Sequence, residues 1–534
     1  MKKYKIRYIL VMLLGILTGS CSDYLNTIPI DKASPETYLE NESQARSLLA
    51  GIYNCLYDDS QNYMFPYCYE NMCDNSYNPH TWECATEFGK GTQNSNSALT
   101  KVKWTKDWQA ISRCNTLLRG LASANSLPTS VKEAITAETR FMRAYFYYDL
   151  VIFYGRVPLL DEKSSIEDPA REEIEKVMAF MYEDVNYAIQ YLPHEFGGEK
   201  ACKGAAYMLK LRMAQYQYEH EIVIECAKAI KSLGYSLYSD YKNLFLEKGI
   251  DDAANKEVIF KINYATDLKS SYMTMLWYHW FSFQTTIAMV NSFFTIHGLP
   301  IYDIQIEGGE TIDRDPTYDP EHPFTNRDPR LRLSVLCPGD EYRLDAQARY
   351  QEHWRPVNWD VHTGFIPKKG ANEALANTLN DGNDKIMMRY GEVLLAWAES
   401  ENELNGPKNV YALIDELRNR VGMITLTSSL PNLTKSAMRE LIRNERRVEL
   451  FHEGQRWLDI RRWKIAEKVM TDAEGLDVSL LIWYSDGNIT PDWSYATMVI
   501  DKRSFNKDRD YLWPIPQSEI DSNLKMKDDQ NPNY

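Results

Sequence analysis

The sequence lacks the short motifs that mark several common enzyme classes. It contains no H-E-x-x-H zinc motif, no G-x-S-x-G turn, no G-x-x-x-x-G-K-[ST] loop and no G-x-G-x-x-G motif. His194-Glu195, His220-Glu221 and His452-Glu453 each lack the second histidine that a zinc-binding helix requires. A glycosidase needs only two carboxylates about 5–10 Å apart, so the 75 acidic residues leave that class open.

Apolar runs long enough to cross a membrane are also missing. A helix needs about 20 apolar residues to span a bilayer, and the apolar run at 9–17 is too short. This run follows the basic segment KKYKIR at 2–7 and precedes LTGSC at 17–21. The order predicts a lipoprotein signal peptide at 1–20, acylation of Cys21 and a tether at 21–35. An ordinary signal peptide cut near Ser20 is the alternative.

The chain has fewer positively charged than negatively charged residues. The chain has 60 Lys and Arg against 75 Asp and Glu, and removal of residues 1–20 takes four further cations, so the net charge falls from −15 to −19. A strongly acidic surface repels polyanions. The composition therefore disfavours nucleic acids and densely sulfated glycans as partners. The composition is compatible with neutral ligands and with a basic partner protein.

Cysteine is scarce and follows no metal-binding pattern. None of the nine cysteines lies in a C-x-x-C motif, so we predict no metal site and no cofactor. Cys68, Cys73 and Cys84 lie in one loop-like segment, where an exported protein can form a disulfide. Unpaired buried thiols are the alternative.

The chain also lacks linkers, and we expect residues 36–534 to form a single domain. Apolar residues recur with helical spacing at 132–155, 386–405 and 434–451, and further helices are expected at 43–57, 104–122, 172–191, 203–216, 219–233 and 408–421. Long polar stretches at 58–103, 235–385 and 465–534 separate them. The paired helices are typical of helix–turn–helix scaffolding, and we expect the polar stretches to be functional loops or to contain small strands of their own.

A row of acidic residues stands out in IRNERRVELFHEGQRWLDIRRWK at 442–464. Glu445, Glu449 and Glu453 are four residues apart, and on one continuous helix they would repel each other. Nearby arginines can compensate, because the guanidinium fork binds carboxylates through two bonds. Acid–base catalysis is one interpretation. We favour the other, an ion-pair lattice that locks a helix hairpin.

This segment and several others resemble the SusD/RagB family. Its E-R-x-x-E-L, E-G-x-R and D-x-R-R-W elements are similar to the family's C-terminal hallmark, and AETRFMRAYFYYDLVIFYGRVPL at 137–159 is similar to an earlier family helix and turn. Further matches, in the family's order, are Trp108 with Asn115, NRDPRL (326–331), TGF (363–365), MRYGEVLLAWAESENEL (388–404), LRNRVGM (417–423), YLWPIPQSEI (511–520) and QNPNY (530–534). The resemblance covers nearly the whole chain after the signal peptide.

The resemblance implies a fold and a function. The fold would be mainly α-helical, with tetratricopeptide-like helix pairs as scaffold and long insertions that bind ligand. The protein would be a non-catalytic outer-membrane lipoprotein that captures oligosaccharides and delivers them to a SusC-like TonB-dependent transporter. Binding of peptides, which some members show, is the alternative. Asp23 resembles the acidic export signals of Bacteroidetes lipoproteins, which supports exposure on the cell surface.

Aromatic residues outside the helical stripes are the candidate ligand contacts. A sugar ring presents an apolar face and polar edges, which rigid aromatic side chains with polar tips complement. The chain has 36 Tyr and 13 Trp but only 17 Phe. Within 74–97 and 270–284 we predict glycan contacts from Asp74, Asn75, Trp82, Trp277, Tyr278 and Trp280. Trp354 and Trp359 are further candidates, and burial of each ring beneath its own loop is the alternative.

Overall fold

The structure is a computed structural model of the chain. It describes residues 39–57, 66–83, 85–165, 167–344, 349–351, 353–356, 361–375, 377–477, 479, 482–483, 489–490 and 497–534. The signal peptide, the acylation of Cys21 and the tether are predictions that lie outside these residues. Cys84 and Trp359 lie outside them as well, so the disulfide stays a prediction.

The described part of the chain is mainly helical, as predicted. Its α-helices are α1 (Glu42–Tyr53), α2 (Thr86–Lys90), α3 (Ala98–Ser123), α4 (Thr129–Tyr154), α5 (Ile174–Tyr191), α6 (Lys203–Tyr216), α7 (His220–Ser232), α8 (Glu247–Ile250), α9 (Ile287–Ser292), α10 (Pro329–Ser334), α11 (Tyr390–Asn405), α12 (Val410–Arg420), α13 (Leu426–Ser429), α14 (Lys435–Glu449), α15 (Gln455–Arg462), α16 (Ala466–Val469) and α17 (Gln517–Ser522). A π-helical turn covers Met275–His279, and 3₁₀ turns cover Asn54–Leu56, Tyr67–Met72, Asn243–Phe245 and Pro407–Asn409. None of the described helices has the length and apolar character of a membrane span.

The described strands form two-stranded antiparallel pairs. They are β1 (Ser76–Tyr77), β2 (Val157–Pro158), β3 (Arg171–Glu172), β4 (Val258–Ile262), β5 (Gln284–Thr285), β6 (Ile304–Gln305), β7 (Thr311–Ile312), β8 (Val335–Leu336), β9 (Tyr342–Leu344), β10 (Arg349–Gln351), β11 (Ile366–Pro367), β12 (Lys385–Arg389), β13 (Ala473–Leu476), β14 (Ile482–Trp483), β15 (Ile489–Thr490) and β16 (Thr497–Asp501). The pairs are β1–β5, β2–β3, β4–β12, β6–β7, β8–β11, β9–β10, β13–β16 and β14–β15. Most of them lie in the long polar stretches, so the insertions contain small hairpins of their own.

The long helices form a tetratricopeptide-like scaffold. Successive helices from α3 to α7 pack side by side, α1 packs on α3 and α4, and α11 continues the array from α7 to α12 and α14. Local signals set the helix ends: Asn41 and Gln44 form a capping box at the start of α1, and Gly155, with φ +73°, ends α4. The buried faces merge into one large apolar core, as the helical stripes predicted.

One predicted helix begins later than its periodicity suggested. Residues 385–389 form β12, which pairs with β4, and α11 starts only at Tyr390. All five residues of β12 are buried, so their side chains do not alternate between core and solvent. A fully buried strand and a buried helix turn cannot be distinguished by periodicity alone, which explains the error.

The acidic row at 445–453 lies in a helix hairpin held by ion pairs. Glu449 is fully buried and contacts Arg330 at 3.0 Å, Arg389 at 2.8 Å and Arg420. Arg389 also binds Glu453, with 2.6 Å between Nε and Oε2. The row is not one continuous helix, because α14 ends at Glu449 and α15 begins at Gln455. The favoured interpretation, an ion-pair lattice, is confirmed by these contacts, but its cations come from other segments of the chain and not from the arginines next to the row.

Candidate functional site

The two irregular segments singled out in the sequence meet in the structure. β1 from the first segment pairs with β5 at the end of the second, with Ser76 opposite Thr285 and Tyr77 opposite Gln284. Side chains extend the contact, because Ser282 Oγ donates to Glu83 Oε1 over 2.9 Å. Segments about 200 residues apart in sequence thus form one surface.

Trp82 lies on this surface as a supported ring. Its indole is 68% exposed and stacks on the His80 imidazole, with centroids 4.6 Å apart and planes 12° apart. His80 Nδ1 lies 3.1 Å from Glu83 Oε1, and Asn78 Nδ2 donates to Glu83 Oε2 over 2.7 Å. Because the buried Glu83 carboxylate fixes the imidazole, one face of Trp82 is backed by a held ring and the other faces solvent.

Trp280 is the second exposed ring of the predicted set. It ends the π-helical turn Met275–His279, its backbone N–H donates to the Met275 carbonyl, and its side chain is 42% exposed. The next residue, Phe281, has φ +56° and is buried against Trp354. Phe281 thus turns the chain sharply and anchors it directly after the exposed ring. We call His80, Trp82 and Trp280 the aromatic platform, and the fully buried Ser282 holds its two segments together.

Trp277 and Tyr278 lie beneath the platform and not on it. Trp277 is 1% exposed and packs edge-on against Tyr67 at 5.1 Å and His452 at 4.4 Å. Tyr278 is fully buried against Tyr342, with ring centroids 4.9 Å apart. The expectation of direct glycan contact is corrected for both, because neighbouring side chains enclose their rings. Both rings are instead buried beneath their own loop, which was the predicted alternative. The same is true of Trp354, which is fully buried.

Asp74 and Asn75 are also interior residues. The Asp74 carboxylate contacts Arg447 at 3.0 Å and Arg456 at 2.8 Å. Asn75 Nδ2 donates to Glu70 Oε2 over 3.1 Å, and Arg447 Nε donates to Asn75 Oδ1 over 2.7 Å. Burial opposes the ionisation of Asp74, but the two guanidinium groups outweigh it and hold its pKa well below the usual range. The expectation that both residues bind hydroxyl groups is corrected, because their polar atoms fasten the loop to the hairpin.

Glu70 joins the same loop to the hairpin turn and has an unusual titration. Its carboxylate accepts from Asn75 and, over 3.2 Å, from the Gly454 backbone N–H. Burial raises the pKa of Glu70 to about 7, and these hydrogen bonds only partly oppose the shift. Gly454 has φ +75°, and a Cβ there would lie 2.6 Å from the Pro66 carbonyl oxygen, so only glycine fits this contact.

Sequence reasoning missed the residues that hold the platform in place. Glu83 and Ser282 carried no recognisable signal, because their pairing depends on two chain segments meeting in space. His80 was visible only as a polar neighbour of Trp82. Among the described residues, no three His, Cys, Asp or Glu side chains are grouped as metal ligands. The surface offers aromatic faces and hydrogen-bonding edges, which suit a neutral polar ligand.

Family models match both halves of the chain. The model described as SusD family matches residues 256–534, and one described as starch-binding associating with outer membrane matches residues 23–213. The chain belongs to the SusD family. SusD-like protein P25 of Formosa agariphila is 23% identical over 523 residues, which cover 91% of this chain and 94% of that protein.

Solved SusD-like structures share the fold. A SusD-like protein from Bacteroides fragilis superposes with a TM-score of 0.77 at 24% identity, covering 94% of this chain and all of the other. A SusD-like carbohydrate binding protein from the same species gives 0.74 at 24% identity, covering 92% of this chain and all of the other. The predicted SusD-like architecture is confirmed by these likenesses.

Proposed function

We propose that the protein is a cell-surface lipoprotein that captures neutral oligosaccharides on the aromatic platform and delivers them to a SusC-like TonB-dependent transporter. Residues 36–534 would form its single domain, and acylated Cys21 would anchor it to the outer membrane. The observation that carries the proposal is the Trp82 ring, two-thirds exposed and backed by a fixed imidazole. The starch-binding description of the matched N-terminal model supports it.

The geometry of Trp82 suits a sugar. An exposed tryptophan costs hydration free energy unless something covers it, and the pyranose C–H face is a flat apolar partner. The ring is already held, so stacking on it costs little side-chain entropy. Trp280, on the adjoining segment, offers a second apolar surface for the same chain. Two separate aromatic surfaces suit an oligosaccharide better than a single small molecule.

Calorimetry with defined oligosaccharides tests the proposal. The probes are maltose-, laminaribiose-, xylobiose- and mannobiose-based series of increasing length, with a casein peptide digest for the alternative ligand class. We expect one saccharide series to bind, and Trp82→Ala and Trp280→Ala each to weaken it about tenfold, because a lost stacking ring costs about 0.5–1.5 kcal/mol beyond its buried area. The control is Phe196→Ala, which removes an exposed ring on the loop between α5 and α6.

The same samples separate the competing functions. Binding of the peptides and of none of the saccharides would favour the peptide-binding alternative. Shortened saccharides in the reaction mixture, detected by chromatography, would show a glycosidase. If both tryptophan variants bind the saccharide as tightly as Phe196→Ala does, the platform is not the binding site.

A further inference from the structure

A cavity of about 210 Å³ lies in the insertions beyond the aromatic platform. Its lining includes Asn291 of α9, Tyr302 and Tyr318 from the following loops, and Glu474 and Thr497 from β13 and β16. By the same measure one water needs only about 10–15 Å³, so the cavity admits a much larger group. The sequence analysis did not single out any of these residues.

The cavity combines an exposed aromatic ring with hydrogen-bonding edges. The Tyr302 ring is 56% exposed, and its hydroxyl lies 3.5 Å from Asn291 Nδ2. Tyr318 is only partly buried, and the exposed Glu474 also lines the cavity. A ring face together with amide, hydroxyl and carboxylate groups is the set that complements a sugar's C–H face and hydroxyl edge.

The exposed Glu474 carboxylate at this cavity favours a neutral sugar over an acidic one, because the hydrogen-bond donors of the buried cation there are already occupied. Arg327 packs under the Tyr318 ring, with 5.7 Å from Cζ to the centroid. Its guanidinium donates to the backbone carbonyls of Pro323, Val290 and Phe293 over 2.6–2.8 Å. Those carbonyls already occupy most of its donors. With Glu474 at the wall, an anionic sugar would meet a like charge, whereas hydroxyl groups would find an acceptor.

Packing contacts, most of them between buried residues, connect this cavity to the segments that carry the platform. Tyr77 in β1 contacts the exposed His362 ring, with centroids 6.0 Å apart. The next residue, Thr363, accepts from the Leu476 N–H over 2.9 Å and packs directly on Gly475. Gly475 follows Glu474 of the cavity wall. On the other side, Phe283, β5 and Thr286 separate Ser282, which contacts His80 and Glu83, from Ile287 of the cavity, a span of at most about 17 Å.

We propose that this cavity is a second saccharide subsite, which takes a neutral sugar unit of the same oligosaccharide that stacks on the aromatic platform. The inference rests on the proposed function and adds a length requirement to it. A short oligosaccharide contacts only the platform and does not reach the cavity. A longer one contacts Tyr302 as well. Because it is already bound at the platform, this second contact forms within the complex, so affinity rises with chain length.

Calorimetry of Tyr302→Ala across a length series tests the second subsite. The probes are maltose through maltoheptaose and the matching laminari-, xylo- and manno-oligosaccharides. In the series that binds, we expect Tyr302→Ala to weaken the longest members about tenfold and to leave the shortest unchanged. Asn291→Ala should act in the same direction, and Tyr302→Phe should retain part of the gain because the ring remains. Phe196→Ala is the control for loss of an exposed ring.

Each outcome separates this inference from the proposed function. If no saccharide binds the unaltered protein, both the platform and the subsite are refuted. If saccharides bind and Trp82→Ala weakens them, but Tyr302→Ala and Asn291→Ala match the control at every length, the second subsite alone is refuted. Melting temperatures accompany each measurement. If Tyr302→Ala unfolds, the binding data for Asn291→Ala decide whether the second subsite exists, because that variant keeps the Tyr302 ring.

Discussion

Replacing Glu449 by alanine would remove one carboxylate from a balanced buried lattice. Within the described residues, the connected pairs join five acids, Asp328, Glu257, Glu445, Glu449 and Glu453, to five cations, Arg330, Arg389, Arg418, Arg420 and Lys369. Loss of Glu449 leaves this group with one excess positive charge away from water. Breaking a buried pair in this way costs about 3–5 kcal/mol.

The remaining contacts decide where in that range the cost falls. Arg330 keeps Asp328, and Arg389 keeps Glu453, so neither guanidinium is left without a carboxylate. Arg420 keeps only Glu257, at 3.3 Å. We therefore expect Glu449→Ala to lower the free energy of unfolding by about 3 kcal/mol, near the lower end of the range. Glu449→Gln keeps the shape but not the charge, and should cost somewhat less.

Urea unfolding followed by tryptophan fluorescence measures this cost. The matched control is Glu403→Ala, which breaks a bidentate pair with Arg439 at the surface, where both side chains keep 20–30% exposure. Such a pair contributes about 1 kcal/mol or less. Equal midpoints for the two variants would refute the lattice argument. Unchanged stability together with lost saccharide binding would mark Glu449 as part of a site instead.

Three further predictions concern Glu70, Trp277 with Trp280, and Cys21. Burial holds the pKa of Glu70 near 7, against 4.5 for the free side chain. Between these two pH values native Glu70 binds a proton that the unfolded chain has lost. The free energy of unfolding therefore falls by about 3 kcal/mol as pH rises from about 4.5 to about 7. Glu70→Gln should remove that fall in urea midpoints, and an unchanged pH profile would contradict the assignment. Trp277→Ala should cost about 3–5 kcal/mol of stability while Trp280→Ala stays within about 0.5 kcal/mol, and similar melting temperatures for both would contradict their assigned burial. Cys21→Ala should abolish acylation seen by mass spectrometry and release the protein from membranes, whereas persistent outer-membrane fractionation of the variant would refute the anchor.

Helix periodicity predicted the scaffold because it depends on local spacing. The stripe ending at Gly155 and the stripe at 434–451 each needed only their own residues to be recognised, and both helices are present. The row Glu445, Glu449 and Glu453 predicted an ion-pair lattice because its spacing is also local, and unpaired like charges at that spacing are unfavourable. Its partners Arg330 and Arg389 lie elsewhere in the chain, so the sequence showed the need for compensation but not which residues supply it.

The candidate site was predicted by segment and not by residue. Aromatic residues outside helical stripes marked two segments that meet in the structure, yet neighbouring tryptophans in the second segment have opposite environments. Trp277 lies inside the π-helical turn and is enclosed, whereas Trp280 caps that turn and is exposed just before the chain changes direction at Phe281. Spacing over four residues in irregular backbone carries no information about which ring faces solvent.

The lattice and the platform are connected through the hairpin, which gives the family hallmark a role in recognition without ligand contact. Arg447 on α14 and Arg456 on α15 hold Asp74, and the turn between these helices binds Glu70 through the Gly454 N–H. The loop fixed in this way continues directly into β1 and then into the His80–Trp82 stack. A hairpin made rigid by buried charges therefore positions a loop whose own residues are too few to form a core. On this argument Asp74→Asn should weaken saccharide binding in parallel with loss of loop order, measured as hydrogen exchange of the Ser76 and Tyr77 amides. Weakened binding with unchanged exchange would instead return Asp74 to the set of direct ligand contacts.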